Sequence, residues 1–199
     1  MIRSWRNSAT RKVWEGERLN QFRSLDYEAA IDLLLALNVA KSLQDLGPLR
    51  SVGLHKLKAE RAGQWAMTVN GRWRVCFEFR KGDAYDVRAT PMTSRSSITT
   101  KGEAVTPAVH PGRMLRRELK ARVLSANRLS LDLGVPSGRI TDILNGRRAI
   151  TADTAVRLGR YFGNSAQFWL DLQSQYDIAI VEKERGPEIA KRVRPADAA

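Results

Sequence analysis

What this 199-residue chain lacks narrows its chemistry first. Its one cysteine, Cys76, excludes an intrachain disulfide. With that cysteine, the two histidines, His55 and His110, cannot supply the four ligands of a Cys/His zinc site, so no metal is expected. Ser-His-Asp chemistry is confined to the same two positions. No P-loop, dinucleotide fingerprint or paired acid spacing of a glycosidase is present, and no cofactor is expected. Long apolar runs are missing too. The longest uncharged run on the helical segment, residues 33–40, is far too short to span a bilayer. No apolar signal-peptide core follows Met1, so the expectation is a cytoplasmic chain with no membrane partner. What is present suffices for ordinary cores: 43% of residues are apolar and 28% charged, in a length that suits one large domain or two small ones.

Acid is scarce beside base. Thirty-four Lys and Arg face 21 Asp and Glu, a net charge of +13 with an isoelectric point near 10.6. The excess is shared, with 16 cations to 10 acids through Pro91 and 18 to 11 after it. It is therefore not a single basic tail. A basic globular chain without a membrane signal points first to nucleic acid.

Composition divides the chain. Residues 90–109 hold eight Ser or Thr, with Pro91 and Pro107 and no apolar periodicity, which predicts a linker. A flexible segment of that length spans roughly 25 Å, so the flanking modules can touch. The expected division is a front module at 1–89, the linker at 90–109, a back module at 110–185 and a basic tail at 186–199.

In the front module, Ala29, Leu33, Leu34, Leu37 and Ala40 recur at the spacing of a helix packed on one face, and residues 8–15 predict a shorter helix before it. From Gln64 the period becomes two: Trp65, Met67 and Val69, then Trp73, Val75, Phe77 and Phe79. Asn70-Gly71 between these runs predicts a type I′ hairpin, and Lys81-Gly82-Asp83 a second turn before a third strand at 84–88. Arg72 and Arg74 fall on the polar face of the meander. Trp5, Trp14, Trp65 and Trp73 are assigned to the core.

The back module predicts helices at 113–122, 126–133, 137–144 and 152–162, and a fifth beginning after Ser165. Ser125 and Thr151 suit N-caps, and Gly134 suits a left-handed stop. Two short helices joined through Gly134-Val135-Pro136 describe a helix-turn-helix. Leu129, Leu133, Val135, Ile140, Ile143 and Leu144 are its core. That core leaves Ser137, Gly138, Arg139, Thr141, Asp142 and Asn145 outside, the short or planar donors and acceptors that a recognition helix offers to base edges. Thr141, Arg147 and Arg148 suit phosphates, and Ser125 with Ala126 opens the preceding helix toward another. The expected fold class is two-domain, α+β plus all-α, with helices over a small antiparallel sheet followed by a five-helix bundle.

His110-Pro111-Gly112, the run from Arg139 through Thr151, and the pieces Phe162-Gly163-Asn164, Phe168-Trp169-Leu170 and Tyr176-Asp177 resemble the HigA antitoxins, XRE-type helix-turn-helix repressors. The front module resembles HigB, the RelE-type toxin, through Met1-Ile2-Arg3-Ser4-Trp5, Leu54-His55, Leu57-Lys58, Gly63-Gln64-Trp65, Trp73-Arg74 and Gly82-Asp83-Ala84-Tyr85. The whole chain thus looks like a HigB–HigA fusion. The resemblance implies a homodimer that binds operator DNA and represses its own operon. It also implies contact between toxin and antitoxin halves, within a chain or across the dimer. For the front half it implies ribosome-dependent mRNA cleavage, with His55 as acid or base, Lys58 stabilising charge and Arg74 clamping phosphate. HigB toxins commonly end in Asp-Tyr-His, and the corresponding stretch from Arg88 through Thr93 has none of the three. A weakened or inactive nuclease is the expectation, with a masked active one as the alternative.

Overall fold

The computed structural model describes residues 1–58, 61–91 and 107–194. Residues 92–106 of the expected linker, including Met92 and Thr93, and residues 195–199 of the expected tail lie outside them. The front module comprises α1 (Ser8–Trp14), a 3-10 turn at Asn20–Phe22, α2 (Tyr27–Val39) and the short α3 (Leu43–Leu46). An antiparallel meander follows in the order β1 (His55–Lys56), β2 (Gln64–Thr68), β3 (Trp73–Arg80) and β4 (Asp83–Pro91). The first residues run parallel to β4, bridging Ile2 to Ala84 and Trp5 to Val87. Side-chain caps start the helices: the Asn7 Oδ1 accepts from Thr10 N, and the Asp26 Oδ1 accepts from Ala29 N. Met67, Val75, Phe77 and Ala89 face α1 and α2 and are buried with Trp5, Trp14 and Trp73, while Trp65 is only partly covered.

Three features differ from the sequence expectation. The type I′ turn is not at Asn70-Gly71, where neither residue has positive φ; it is at Lys81-Gly82, with φ of 50° and 83°. Asn70 instead makes an Asx turn, its Oδ1 accepting from Arg72 N and Trp73 N at 3.0 and 2.9 Å. That places Arg72 in the loop and off the sheet face. Helix α2 is buried on more than one side, with Asp32, Leu35 and Ala36 covered as fully as Leu33 and Leu37. One side meets the sheet and the other meets the back module. Finally, β4 continues through Thr90 and Pro91, which pair with Arg74 and Trp73, so the strand outruns the boundary drawn at 89. Proline is admitted at this terminal position, where the strand's pairing ends.

The back module holds α4 (Gly112–Arg122), α5 (Ala126–Leu133), α6 (Ser137–Leu144), α7 (Ala152–Phe162) and α8 (Ala166–Arg192). The hydroxyls of Ser125, Thr151 and Ser165 cap α5, α7 and α8. Gly134 stops α5 in the left-handed conformation at φ 63°. Helix α8 passes the boundary at 185 and continues through Pro187 to Arg192, so much of the expected tail is helical. Trp169 is fully buried, its Nε1 donating to Asn164 Oδ1 at 3.0 Å, which fixes α8 against the loop before it. Gly112 is required sterically, because a Cβ there would stand 2.0 Å from the Ile143 carbonyl oxygen. The helix-turn-helix is thereby pressed against α4.

The two modules meet in a polar seam. The buried Glu118 carboxylate accepts from Arg50 N and Ser51 N at 3.1 and 2.9 Å and from Arg122 Nε. Arg113 pairs with the buried Asp32 at 3.0 Å, and Arg122 donates to the Pro48 carbonyl at 2.7 Å. Ser165 Oγ donates to Asp45 Oδ1. Toxin-like and antitoxin-like halves therefore touch within one chain.

Candidate nucleic-acid interfaces

The first candidate surface is built by α5 and α6. Leu129, Leu133, Ile140 and Ile143 are buried, which turns the remaining residues of α6 outward. Ser137, Gly138, Thr141, Asn145, Arg147 and Arg148 are exposed; Arg139 and Asp142 are half-buried. Gly138 has open space where a Cβ would stand, so packing within the chain does not demand it. Several donors are already engaged. Thr141 Oγ1 donates to the Ser137 carbonyl at 3.1 Å, and Arg147 pairs with Asp142 at 3.2 Å. Arg139 lies along α6 against Asp153, Nη1 to Oδ2 at 2.6 Å, and Arg157 holds the other oxygen of that carboxylate. These hydrogen bonds, from Arg157 first and then Arg139, hold Asp153 below the usual carboxylate range. Ser125 Oγ accepts from Arg128 N at 3.1 Å as the N-cap of α5, and Ala126 is half-buried in its first turn.

The second surface is the sheet face turned away from α1 and α2. Register places His55, Ala66, Cys76 and Arg88 in one row across the four strands, and Thr68, Arg74 and Thr90 in the next. His55 and Arg74 thus share a face, with Cα atoms about 12 Å apart by strand spacing. Lys58 is exposed beyond the end of β1. His55 is exposed and its Nδ1 lies 2.9 Å from the Gly53 carbonyl oxygen.

Sequence reasoning missed Arg88. It is only 7% exposed, with Gln64 Oε1 at 3.3 Å from its Nη2. Burial first, then the neighbouring Arg61, pulls its pKa below the usual guanidinium value. Beside it, burial pushes the Cys76 thiol up, against the pull of Arg74, Arg88 and Arg61. Strict alternation from the buried Ala84 would have put Arg88 on the core side. A bulge opposite Cys76–Glu78, with Asp86 at φ 52°, inserts one residue and turns Arg88 to the face away from α1 and α2, beside Cys76. No signal in the sequence marks that bulge.

A meander carrying cations beneath two helices is thus joined in one polypeptide to a helix-turn-helix bundle. Residues 4–91 match the family described as the RelE-like toxin of the type II toxin–antitoxin system HigB. Virulence-associated protein I of Dichelobacter nodosus is 48% identical over 85 residues, covering 42% of this chain and 79% of that protein. Endoribonuclease HigB of Proteus vulgaris is 32% identical, covering 43% of this chain and 91% of its own length. Antitoxin HigA-1 of Vibrio cholerae is 32% identical, covering 44% and 82%. The chain belongs to the HigB–HigA toxin–antitoxin family as a fusion of the two, HigB-like in front and HigA-like behind. No helix among the described residues is long and apolar enough to cross a membrane.

Proposed function

We propose that this chain is a cytoplasmic, sequence-specific DNA-binding repressor of its own operon, whose tethered HigB-like module is neutralised or catalytically weak. One observation carries the reading: the buried core of α5 and α6 leaves a continuous outward face on α6, followed directly by exposed Arg147 and Arg148. In this reading Ser137, Gly138, Arg139, Thr141, Asp142 and Asn145 meet base edges, Arg139 exchanging Asp153 for a guanine. Ser125 and Ala126 direct the free N–H groups of α5 at a phosphate, and Arg147 and Arg148 take the phosphates beyond. A palindromic operator asks for a second copy. Exposed Ile178, Val181 and Ile189 on the outer half of α8 support a homodimer.

Gel shifts with duplex DNA from upstream of its own gene test this. Arg139→Ala is expected to lower affinity for that duplex by about 1–3 kcal/mol and relax its sequence preference; Arg148→Ala should weaken all duplexes alike. A wild-type chain that does not prefer this DNA to random sequence overturns the reading.

The second reading is an active endoribonuclease for mRNA on the ribosome, masked by its antitoxin half. Exposed His55 and half-buried Arg74 on one sheet face, with buried Arg88 beneath them, favour it, because the polar seam uses residues 28–51 instead. Against it stands the stretch from Arg88 through Thr93, which has none of the Asp-Tyr-His residues with which HigB toxins commonly end. Residues 1–91 induced in growing cells should leave growth and mRNA intact. Arrest with mRNA cleavage would establish the second reading.

A further inference from the structure

The seam between the modules encloses a cleft of about 430 Å³ that the α5–α6 surface does not account for. One wall is α4, whose Arg113, Arg116, Arg117 and Lys120 fall at i, i+3, i+4 and i+7 and so line one side of the helix. The other wall is α2 of the HigB-like module, contributing Glu28 and Asp32. The C-terminal end of α6 closes the cleft, because Arg116 Nη2 donates to the Leu144 carbonyl at 2.5 Å and reaches Asn145 Oδ1 at 3.3 Å. Asn145 and Gly146, which follow the recognition helix, are thereby part of the cleft's lining.

Charge inside the cleft is unevenly matched. Arg113 is spent on the toxin-like wall, at 3.0 Å from the Asp32 carboxylate and 3.1 Å from the Glu28 carbonyl. Arg117 donates to the Ser51 carbonyl at 3.4 Å and feels the charges of Asp32 and Asp26, while its Nε is buried without a hydrogen-bond partner. Arg116 is bound to neutral acceptors, and the exposed Lys120 has no carboxylate partner among the described residues. His110 adds no charge at neutral pH, since burial holds it below its ordinary value. Glu28 at the rim faces Arg116 and Lys120, the two cations of this wall that pair with no carboxylate among the described residues.

We propose that this cleft takes a backbone phosphate of the same duplex that α6 reads, so that the HigB-like module forms one wall of the DNA interface. The inference rests on the repressor reading for its partner. It deepens that reading by adding Arg116, Arg117 and Lys120 to the interface and by giving α2 an electrostatic hold on affinity. Phosphate is the fitting chemistry because planar guanidinium donors and an ammonium converge on it from one side. Glu28 opposes it, and within a Debye length of the site its charge weakens binding.

Fluorescence anisotropy of the full chain on its upstream duplex and on random duplex, at several salt concentrations, tests this. Lys120→Ala is expected to weaken both duplexes several-fold and equally, and to reduce the slope of log affinity against log salt by about 0.9. Glu28→Gln, a change in the toxin-like module, should tighten both about twofold. Asp83→Asn, at the β3–β4 turn beyond the far end of α2, serves as the control and should do neither. If the wild type prefers its own duplex while Lys120→Ala and Glu28→Gln bind as it does, the cleft proposal fails and the repressor reading stands. Loss of that preference in the wild type sinks the repressor reading, and the random duplex still reports on the cleft. A thermal shift with inorganic phosphate that Lys120→Ala abolishes, with duplex affinity unchanged, would assign the cleft to a free phosphate and overturn the proposal.

Discussion

The HigA-like module closes its helices with neighbours, whereas the HigB-like module closes its sheet across most of its length. Ser125, Thr151 and Ser165 each accept from an N–H three residues on, and α5 and α7 end at left-handed glycines. In the front module Arg3 pairs with Asp83, and Ala89 N donates to Thr10 Oγ1, contacts that close only when both ends of the module are in place. Ile2 N likewise donates to the side chain of Asn38. Closure at the helix ends of the back module is thus local in sequence, while closure of the front module waits on contacts of long sequence separation. The seam joins these two kinds of structure through carboxylates, and that is where the contrast is easiest to break.

Glu118 is the largest lever. It is fully buried and satisfies two backbone N–H groups of the front module and the Arg122 guanidinium of its own helix. Arg122 also stacks over Phe162 at 5.1 Å and binds the Pro48 carbonyl, so it cannot simply leave. Glu118→Ala strands all of these donors, and a cost of about 3–5 kcal/mol is expected in urea unfolding. If the seam is what couples the modules, the variant should also unfold in two steps instead of one.

Asp32 sharpens the comparison through pH. Burial pushes its carboxyl up to about 6, with Arg113 and Arg117 pulling it down and Glu28 and Asp26 pushing it up. A carboxyl whose folded pKa exceeds its unfolded value binds protons in the folded state first. Its contribution to stability therefore grows as pH falls from about 6 toward 3.8, and is absent well above 6. The full shift corresponds to at most about 3 kcal/mol. Unfolding free energy measured from pH 7.5 to 5 should contain this rise, and Asp32→Asn should flatten it. A variant that keeps the wild-type slope would place the titration elsewhere.

The same contrast decides what could be read from the amino acids alone. Helix bounds in the back module follow from caps and stops that sit beside them, which is why 126–133 and 137–144 match the helices found. The front module misleads wherever geometry is set at a distance. Asn70-Gly71 carries the stronger I′ signal, yet the side chain of Asn70 folds its own loop and the sheet puts the primed turn at Lys81-Gly82. One left-handed residue, Asp86, reverses the parity of β4 and hides Arg88 from an alternation count. Burial on the second side of α2 was illegible for a related reason: a helix shows its apolar residues, but not that Asp32 will be covered by an arginine of another module. The α6 face was legible because it is what the core leaves over. The cleft behind it was not, since its walls are 80 residues apart in sequence and meet only through the fold.

A last, smaller effect separates the helices of the back module from one another. Helices α4, α5 and α7 all end at a left-handed residue, which is glycine at 134 and 163 but Val123 in α4, at φ 54°. Its amide donates to the Leu119 and Lys120 carbonyls, and Leu124 N donates to the Leu119 carbonyl, so the stop is hydrogen-bonded like the others. A β-branched side chain resists this conformation, and Val123 is 95% exposed, so no packing offsets the strain. Val123→Gly relieves it while loosening the unfolded chain, and the balance is expected to stabilise the module by about 1 kcal/mol in urea melts. Val123→Asn, which tolerates the same φ with a smaller gain in unfolded-chain freedom, should stabilise as well. A destabilised glycine variant would mean that the added freedom of the unfolded chain outweighs the strain relieved, and Val123→Asn would then be the better stop.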